Sequence, residues 1–228
     1  MAIVVLLRHG RTSANASGIL AGRAPRVGLD ARGRCQARDA ADRLAGVELT
    51  RVVSSPLLRC RQTARAVVRS SSGLPVVIDK DLTECDYGDW QGRALVDLAR
   101  EDLWRTVQSH PSQVRFPGGE TMAGMQARAV AAVRRIDADI SAGGSQVWVA
   151  VSHGDVIKSI LADALGLHLD LFQRIEVGPA SISVVAYTPA GPRVLLTNST
   201  AGDLSWLATA PAAAQVGGGS GPPQPRHS

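Results

Sequence analysis

The sequence predicts an α/β fold in which one mostly parallel central sheet lies between two layers of helices, a three-layer sandwich. Short apolar runs rich in β-branched residues alternate along the chain with longer segments whose apolar residues recur at helical spacing. The chain has 228 residues, of which 45% are hydrophobic and 20% are charged. That composition is sufficient for one substantial globular core.

The predicted elements follow one another in the order typical of parallel strands joined by crossover helices. They are a strand near 2–7, a helix near 31–45, a strand near 51–54, a helix near 56–70, a strand at 75–78, helices near 93–109 and 121–142, a strand at 147–151 and a helix at 155–165. A final hairpin joins strands at 181–187 and 193–197 across a turn that contains Pro and Gly.

Two histidines directly follow predicted strands. His9 comes after the first apolar run, next to Arg8, and His153 comes after the run at 147–151. Ligands bind at the carboxyl edge of open α/β sheets, so we expect both imidazoles to share one pocket. Arg8 suits a planar anion such as phosphate, and a neutral histidine beside it can attack phosphorus. A purely structural role for either histidine stays open at this point.

A second arginine is predicted at the same edge. The strand near 51–54 is followed by Ser55 and Pro56, residue types typical of an N-cap and a first helical position. A helix that begins there has Arg59 in its first turn, where the guanidinium adds donors to a helix start that already favours anions. Arg61 and Arg65 fit a solvated basic face.

Five segments carry these residues in a fixed order. They are LRHGRTSAN at 7–15, SSPLLRCRQTA at 54–64, LTECDYGDWQG at 82–92, PGGET at 117–121 and VSHGD at 151–155. Together they resemble the histidine phosphatase superfamily, on its phosphoglycerate-mutase-like branch, over about residues 1 to 200. The resemblance implies the phosphoglycerate-mutase-like form of the predicted sandwich.

The resemblance also implies roles for individual residues. His9 is the expected nucleophile that becomes phosphohistidine, and Glu84 is the expected proton donor. The residues expected to hold the phosphoryl group or contact the substrate are Arg8, Asn15, Gly22, Arg59, His153 and Gly154. Two guanidiniums and a second imidazole stabilise a phosphoryl transition state without a metal, so we expect neither a metal nor an organic cofactor.

Three functions stay open: a phosphomonoesterase, a cofactor-dependent phosphoglycerate mutase or other phosphomutase, and a non-enzymatic phospho-ligand module. The paired histidines and Glu84 disfavour the last. Phosphoglycerate mutases carry Arg and His directly after the acidic residue, whereas this chain has Cys85 and Asp86. Without those cations, a substrate with both phosphate and carboxylate is held less well, which favours a phosphatase. The segment 93–116 is also shorter than the mutase insertion.

The substrate is expected to be a small phosphomonoester of open identity. The loops expected to frame its leaving group, at 19–23 and 102–116, contain Arg23, Arg105, Arg115 and Trp104. These residue types suit an anionic or partly aromatic molecule.

Composition bears on partners and compartment. The net charge is +5 with a pI near 9.7, but the arginines are dispersed, so nucleic-acid binding is not expected. Three cysteines without metal-ligand spacing suit a reducing compartment, and no segment approaches membrane-spanning length. We therefore expect a cytoplasmic protein without membrane contact, for which a homodimer is one expected form.

The end of the chain differs in composition from the rest. Residues 208–228 are rich in Ala, Pro and Gly and offer little apolar surface to bury. The sequence thus predicts a histidine phosphatase domain over 1–207 and a disordered tail over 208–228.

Overall fold

The computed structural model describes residues 2–71, 73–143, 146–205 and 207. The strands are β1 (Ala2–Arg8), β2 (Leu49–Ser54), β3 (Val76–Ile78), β4 (Gln146–Ser152), β5 (Ile182–Thr188) and β6 (Gly191–Ser199). The α-helices are α1 (Ser13–Ala16), α2 (Ala31–Asp42), α3 (Leu58–Ser71), α4 (Leu95–Leu98), α5 (Asp102–Ser109), α6 (Met122–Ser141) and α7 (Gly154–Ala164). Short 3-10 helices cover Lys80–Leu82, Gly88–Trp90, Pro111–Gln113 and Leu169–Arg174. The predicted tail at 208–228 lies outside the described residues.

One sheet organises the chain, with the strand order β3-β2-β4-β1-β5-β6. The pairs β1–β4, β2–β4 and β2–β3 are parallel, while β5 runs antiparallel to β1 and to β6. Arg8 pairs with Ser152 and Ser54 pairs with Val151, so β1, β2 and β4 end at the same edge. The residues that follow these strands are therefore brought together there, as the sequence predicts.

Helices cover both faces of this sheet. Alternate side chains of β1 point to opposite faces. Val5 packs on one side in a cluster that includes Ala64 of α3, and Val4 packs on the other side in a cluster that includes Met125 of α6 and Ile157 of α7. The predicted α/β sandwich is confirmed. Among the strands of the described residues, those of the C-terminal hairpin alone depart from the parallel pattern.

The predicted helix at 93–109 is wrong, because the segment forms two shorter helices, α4 and α5. Between them Glu101 has extended backbone, with φ −82° and ψ 146°. Its carboxylate accepts the indole N–H of Trp90 at 2.9 Å and pairs with Arg93 at 2.5 Å. These two contacts hold Glu101 against the core, and the helical path is interrupted there.

The predicted start of α3 is also wrong. Ser55 and Pro56 precede the helix, which begins at Leu58. The Ser55 hydroxyl lies 2.8 Å from Nε2 of His153, and its amide donates to the Val151 carbonyl at 3.0 Å. Ser55 is thus held at the end of the sheet and not at an N-cap. Arg59 still falls in the first turn of α3, as expected.

Within the described part of the chain, no helix combines the length and the apolar character needed to cross a bilayer.

The loop after β1 packs very closely on α2. A Cβ on Gly33 would overlap the Arg11 carbonyl oxygen, and a Cβ on Gly10 would overlap the Gly33 carbonyl oxygen. The Asp30 side chain fastens the same contact, since it accepts the Gly33 amide at 2.7 Å and the Arg11 Nε at 2.8 Å. The backbone that carries His9 is therefore fixed against the start of α2.

We expect Gly33→Ala to lower the free energy of unfolding by about 2 kcal/mol, because the added methyl group has no room. Helix propensity alone predicts the opposite sign, a gain of about 1 kcal/mol. Urea denaturation measures the difference. Gly46→Ala is the matched control: its Cβ would lie 3.7 Å from the nearest atom, and a change within about 0.5 kcal/mol is expected. A stabilised Gly33→Ala variant would show that the contact is loose.

Candidate active site

A cavity of about 250 Å³ opens at the carboxyl ends of β1 and β4. The predicted site residues that line it are Arg8, His9, Asn15, Gly22, Arg59, Glu84 and Gly154. His153 is fully buried and packs on His9, with the ring centroids 5.3 Å apart and the ring planes at 64°. The structure thus brings together every residue that the sequence predicts as nucleophile, proton donor or phosphoryl contact.

The His9 imidazole is held in one orientation and one tautomer. Nδ1 lies 2.7 Å from the Gly10 carbonyl oxygen, which requires the ring proton on Nδ1. Nε2 then carries no proton, and its lone pair accepts a hydrogen bond from Nε of Arg59 at 3.2 Å. Burial, followed by the charges of Arg59 and Arg8, holds the pKa of His9 well below its ordinary value. A neutral imidazole with an unprotonated Nε2 is the form that can act as a nucleophile.

His153 is fixed from both sides. Its Nδ1 accepts from Nη2 of Arg59 at 3.2 Å, so Nε2 carries the proton and donates to the Ser55 hydroxyl at 2.8 Å. Burial, then the charge of Arg59 and to a smaller extent that of Arg8, holds the pKa of His153 well below its ordinary value. The N-cap position at the start of α7 places this ring beside the first amide groups of a helix.

Both guanidiniums have donors left over. Arg8 donates through Nη1 to the Val177 carbonyl at 2.6 Å, and Arg59 donates through Nη2 to the Gly22 carbonyl at 2.7 Å. Nε of Arg8 and Nη1 of Arg59 are buried, and neither has a hydrogen-bond partner among the residues that the structure describes. Unpaired buried donors of cationic groups are costly, and such donors in a cavity indicate a site for an anion.

Glu84 is almost fully buried at the cavity wall. Its Oε1 accepts the Cys85 amide at 3.0 Å, and its Oε2 lies 3.8 Å from Nδ1 of His153. Burial, together with the nearby charge of Asp155, raises the pKa of Glu84 to about 7. The carboxyl group is therefore available as a proton donor at and below neutral pH.

The three smaller predicted residues contribute in different ways. Gly22, with φ +49°, presents the carbonyl oxygen that holds Arg59, and a Cβ there would press on Gln91 and Tyr87. The exposed Asn15 accepts the Thr12 amide and hydroxyl with Oδ1, which leaves its NH₂ group as the remaining donor. Gly154 is the first residue of α7, and a Cβ added there would lie 3.4 Å from Cζ of Arg8, in ordinary contact with the guanidinium.

The sequence analysis missed Ser55 as a partner of His153, and it also missed Asp155. Asp155 lines the cavity, and one of its oxygens accepts the Tyr87 hydroxyl at 2.7 Å. The sequence does place Asp155 two residues after His153, in the first turn of α7, and this proximity to a site residue could have identified it.

A network of charged residues supports the loop that carries Glu84. The Glu84 carbonyl oxygen accepts from Arg23 at 2.9 Å and from Arg128 at 3.1 Å. Oε1 of Glu120 pairs with both guanidiniums, at 2.9 Å from Nη2 of Arg23 and at 2.6 Å from Nη2 of Arg128. The same oxygen accepts a hydrogen bond from the Asp86 amide at 2.9 Å. Burial alone would raise the pKa of Glu120. The hydrogen bonds from Arg128 and from the Asp86 amide outweigh burial, and the pKa of Glu120 is lowered. Glu120 is thus the carboxylate of the PGGET motif, and it fixes the acid loop.

The glycines of that motif allow two loops to touch through their backbones. A Cβ on Gly119 would overlap the Asp86 carbonyl oxygen, and a Cβ on Gly88 would overlap that of Pro117. Gly88 and Gly118 also have positive φ, of 51° and 67°. The acid loop at 84–90 is therefore locked against the loop at 117–120.

The four residues expected in the loops around the leaving group divide into two kinds. Trp104 lines the cavity. Arg23, Arg105 and Arg115 are not among the lining residues, and Arg23 is instead held by Glu120 and Asp86. The interpretation of these arginines as substrate contacts is not supported, because none of the three lines the cavity and Arg23 is neutralised within the fold. Across the described residues, no group of three or more His, Cys, Asp or Glu side chains could hold a metal ion.

Comparison with known proteins agrees with this geometry. A family model described as the histidine phosphatase superfamily (branch 1) matches residues 4–200. The chain belongs to the histidine phosphatase superfamily. The resemblance inferred from the five motifs is confirmed, and the protein is an enzyme of the histidine phosphatase type.

Relatives of this histidine phosphatase carry names of both phosphatases and mutases. A probable phosphoglycerate mutase GpmB from Enterobacter sp. (strain 638) is 32% identical over 186 residues, which covers 81% of this chain and 84% of that protein. An adenosylcobalamin/alpha-ribazole phosphatase from Escherichia coli (strain K12) is 30% identical over 201 residues, covering 86% and 95%. A mycobacterial glucosyl-3-phosphoglycerate phosphatase, solved with VO3, has a TM-score of 0.76 at 27% identity, covering 86% and 98%.

The Glu120 network generates a stability prediction. Glu120→Gln leaves two half-buried guanidiniums without their shared carboxylate, and we expect the free energy of unfolding to fall by about 2 kcal/mol. Asp139→Asn is the matched control, since it removes the exposed ion pair with Arg51 and should cost less than about 1 kcal/mol. Urea denaturation of both variants tests this. Equal losses would mean that the network does not hold the acid loop.

Proposed function

We propose that this histidine phosphatase is a metal-independent phosphomonoester hydrolase that acts through a phosphohistidine on His9 on a small phosphorylated metabolite. The observation that carries the proposal is the pair of unpartnered buried donors, Nε of Arg8 and Nη1 of Arg59, beside the unprotonated Nε2 of His9. A phosphoryl dianion supplies acceptors for both donors and a target for the nucleophile.

In the first step Nε2 of His9 attacks phosphorus, and the bond from phosphorus to the ester oxygen breaks. Nδ1 keeps its proton and donates it in a hydrogen bond to the Gly10 carbonyl oxygen, which stabilises the ring as it becomes electron-poor. Arg8 and Arg59 donate to the phosphoryl oxygens, where negative charge is concentrated in the transition state. His153 accepts from Arg59 at Nδ1, so it becomes a donor to a phosphoryl oxygen only once its Nδ1 is protonated. Glu84 gives its proton to the departing alcohol oxygen.

In the second step a water molecule attacks the phosphohistidine. Glu84, now ionised, accepts a proton from that water, and the bond from phosphorus to Nε2 breaks. Inorganic phosphate leaves, His9 regains its lone pair and Glu84 regains its proton. Burial of the site makes each fixed charge more effective than it would be in bulk water.

A phosphomutase is the second candidate, favoured by the GpmB name of several relatives. In a mutase the phosphoryl group returns to an organic acceptor instead of water. Cys85 and Asp86 replace the cations expected of a mutase, but neither lines the cavity: Cys85 is fully buried and Asp86 pairs with Arg23. These two replacements therefore do not change the lining of the cavity. The hydrolase is supported instead by the charge of that lining, because Arg8 and Arg59 are its cationic residues among the described ones and both are needed for the phosphoryl group.

The proposal extends to the remaining features of the chain. Residues 1–207 would form the histidine phosphatase domain, and 208–228 would be a tail outside it. Cys35, Cys60 and Cys85 are free thiols, which supports work in the cytoplasm. Independence from nucleic acid and formation of a homodimer stay predictions.

His9 should form the covalent intermediate. Quenching wild type during turnover of ³²P-labelled ethyl phosphate should trap an acid-labile, base-stable adduct, as expected for a bond from phosphorus to nitrogen. His9→Ala should give none, while His110→Ala, a change at an exposed histidine, should behave as wild type. An adduct on His153 would contradict the assignment.

The fate of the trapped group separates the two candidates. Chase of the labelled enzyme with water should release inorganic phosphate at the rate of turnover. Addition of 2- or 3-phosphoglycerate should not divert the label into a bisphosphate. Diversion that outpaces hydrolysis by orders of magnitude would identify a mutase.

Glu84 should determine the pH dependence for poor leaving groups. Because its pKa is about 7 and the protonated form donates, kcat/KM for an alkyl phosphate should fall as pH rises through 7. Glu84→Gln should lower that value about 100-fold and remove the dependence, with a smaller loss on an aryl phosphate. Glu48→Gln, at an exposed position before β2, is the control. Equal losses on both substrates would indicate a binding role for Glu84.

A further inference from the structure

The lining of the cavity comprises a charged set and an apolar set of side chains, which we call the inner end and the outer end. Arg8, Arg59 and His9 form the inner end. Apolar and aromatic side chains form much of the outer end, and they include Leu20, Trp90, Leu95, Trp104, Val107 and Phe116. The inner end matches the phosphoryl group, so the outer end faces the alcohol part of a substrate.

Aromatic rings make a continuous chain through this outer end. Tyr87 contacts Phe116 edge-on, with centroids 5.0 Å apart, and Phe116 contacts Trp90 at 5.4 Å. Trp90 stacks on Trp104, with centroids 6.1 Å apart and planes at 27°. The first three rings are buried, whereas Trp104 is partly exposed. Trp104 is therefore the ring with surface left to contact a ligand.

The basic residues near the outer end are engaged elsewhere. Arg23 is held by Glu120 and Asp86, and Arg93 pairs with Glu101. Lys158 donates to the Gln173 amide oxygen at 3.1 Å and lies over the Phe172 ring at 5.5 Å. Among the described lining residues, Arg8 and Arg59 alone are cationic, and both belong to the inner end.

The charge at the cavity wall has the opposite sign. Asp155 lines the cavity and accepts the Tyr87 hydroxyl at 2.7 Å, and it lies close enough to Glu84 to influence that carboxyl group. A second anionic group on the substrate would face Asp155 without a cation to balance it. Unpaired like charges of this kind weaken binding strongly.

We propose that the outer end selects phosphomonoesters of uncharged alcohols that carry an apolar or aromatic group, with Trp104 as the main contact, and that it disfavours substrates with a second anion. This inference rests on the proposed phosphomonoesterase function. It names the substrate class by the side chains that would recognise it.

Three substrates with unactivated leaving groups test the preference: ethyl phosphate, 2-phenylethyl phosphate and 3-phosphoglycerate. Phosphate release from the full-length enzyme should give a kcat/KM for 2-phenylethyl phosphate about 10- to 100-fold above that for ethyl phosphate, because the ring is buried on Trp104. The value for 3-phosphoglycerate should be about tenfold or more below that for ethyl phosphate.

Two variants connect the preference to the cavity. Trp104→Ala should reduce the ratio of 2-phenylethyl to ethyl phosphate about tenfold. Gln108 is an exposed lining residue, so Gln108→Arg adds a cation at the rim with little risk to the fold. It should raise the ratio of 3-phosphoglycerate to ethyl phosphate about tenfold, while the uncharged control Gln108→Met leaves that ratio unchanged.

The outcomes separate the inference from the function on which it rests. Two results would overturn the inference and leave the phosphatase function intact. One is hydrolysis of all three substrates with equal kcat/KM, and the other is a preference for 3-phosphoglycerate. A Trp104→Ala variant that folds and keeps the wild-type ratio would also overturn it. Failure to release phosphate from any of the three, with no trapped phosphoenzyme, would overturn both.

Discussion

The buried guanidinium of Arg59 is the contact on which the rest of the site depends. It donates to Nε2 of His9, to Nδ1 of His153 and to the Gly22 carbonyl oxygen. All of these partners are neutral, so no carboxylate is directly hydrogen-bonded to Arg59 among the described residues. A buried cation of this kind is costly until an anion binds, and the fold must hold it in place meanwhile. Phosphoryl binding would relieve that cost, which makes Arg59 an electrostatic basis for the site as well as a structural one.

The surrounding structure keeps that arrangement rigid through close backbone contacts. Gly33 and Gly10 let α2 press on the loop that carries His9, and Gly88 and Gly119 let the acid loop press on its neighbour. Side chains at these positions would push the loops apart by an ångström or more. Phosphoryl transfer is sensitive to displacements of that size, because catalysis here comes from position and charge.

The cavity separates two tasks along its length. Its inner end collects the donors that suit any phosphoryl group, and these carry little information about the rest of a substrate. Its outer end is built from rings, aliphatic side chains and one carboxylate, Asp155, so it can distinguish substrates by charge and apolar surface. Members of one superfamily can therefore carry names as different as probable phosphoglycerate mutase and alpha-ribazole phosphatase.

The sequence by itself determined the sandwich, the edge at which the site lies and the residues that converge there. It could do so because parallel strands end at one edge, and His9, Arg59 and His153 each lie at or just beyond such an end. It did not determine local paths that depend on distant partners. Ser55 looked like an N-cap but is held by His153, 98 residues away, and the helix at 93–109 is broken where Trp90 and Arg93 hold Glu101.

Nor did the sequence decide the character of the outer end of the cavity. Arg23 and Trp104 were equal candidates in the sequence. Only the tertiary structure pairs Arg23 with Glu120 and leaves Trp104 in the lining of the cavity, because charge pairing between remote segments has no local signature.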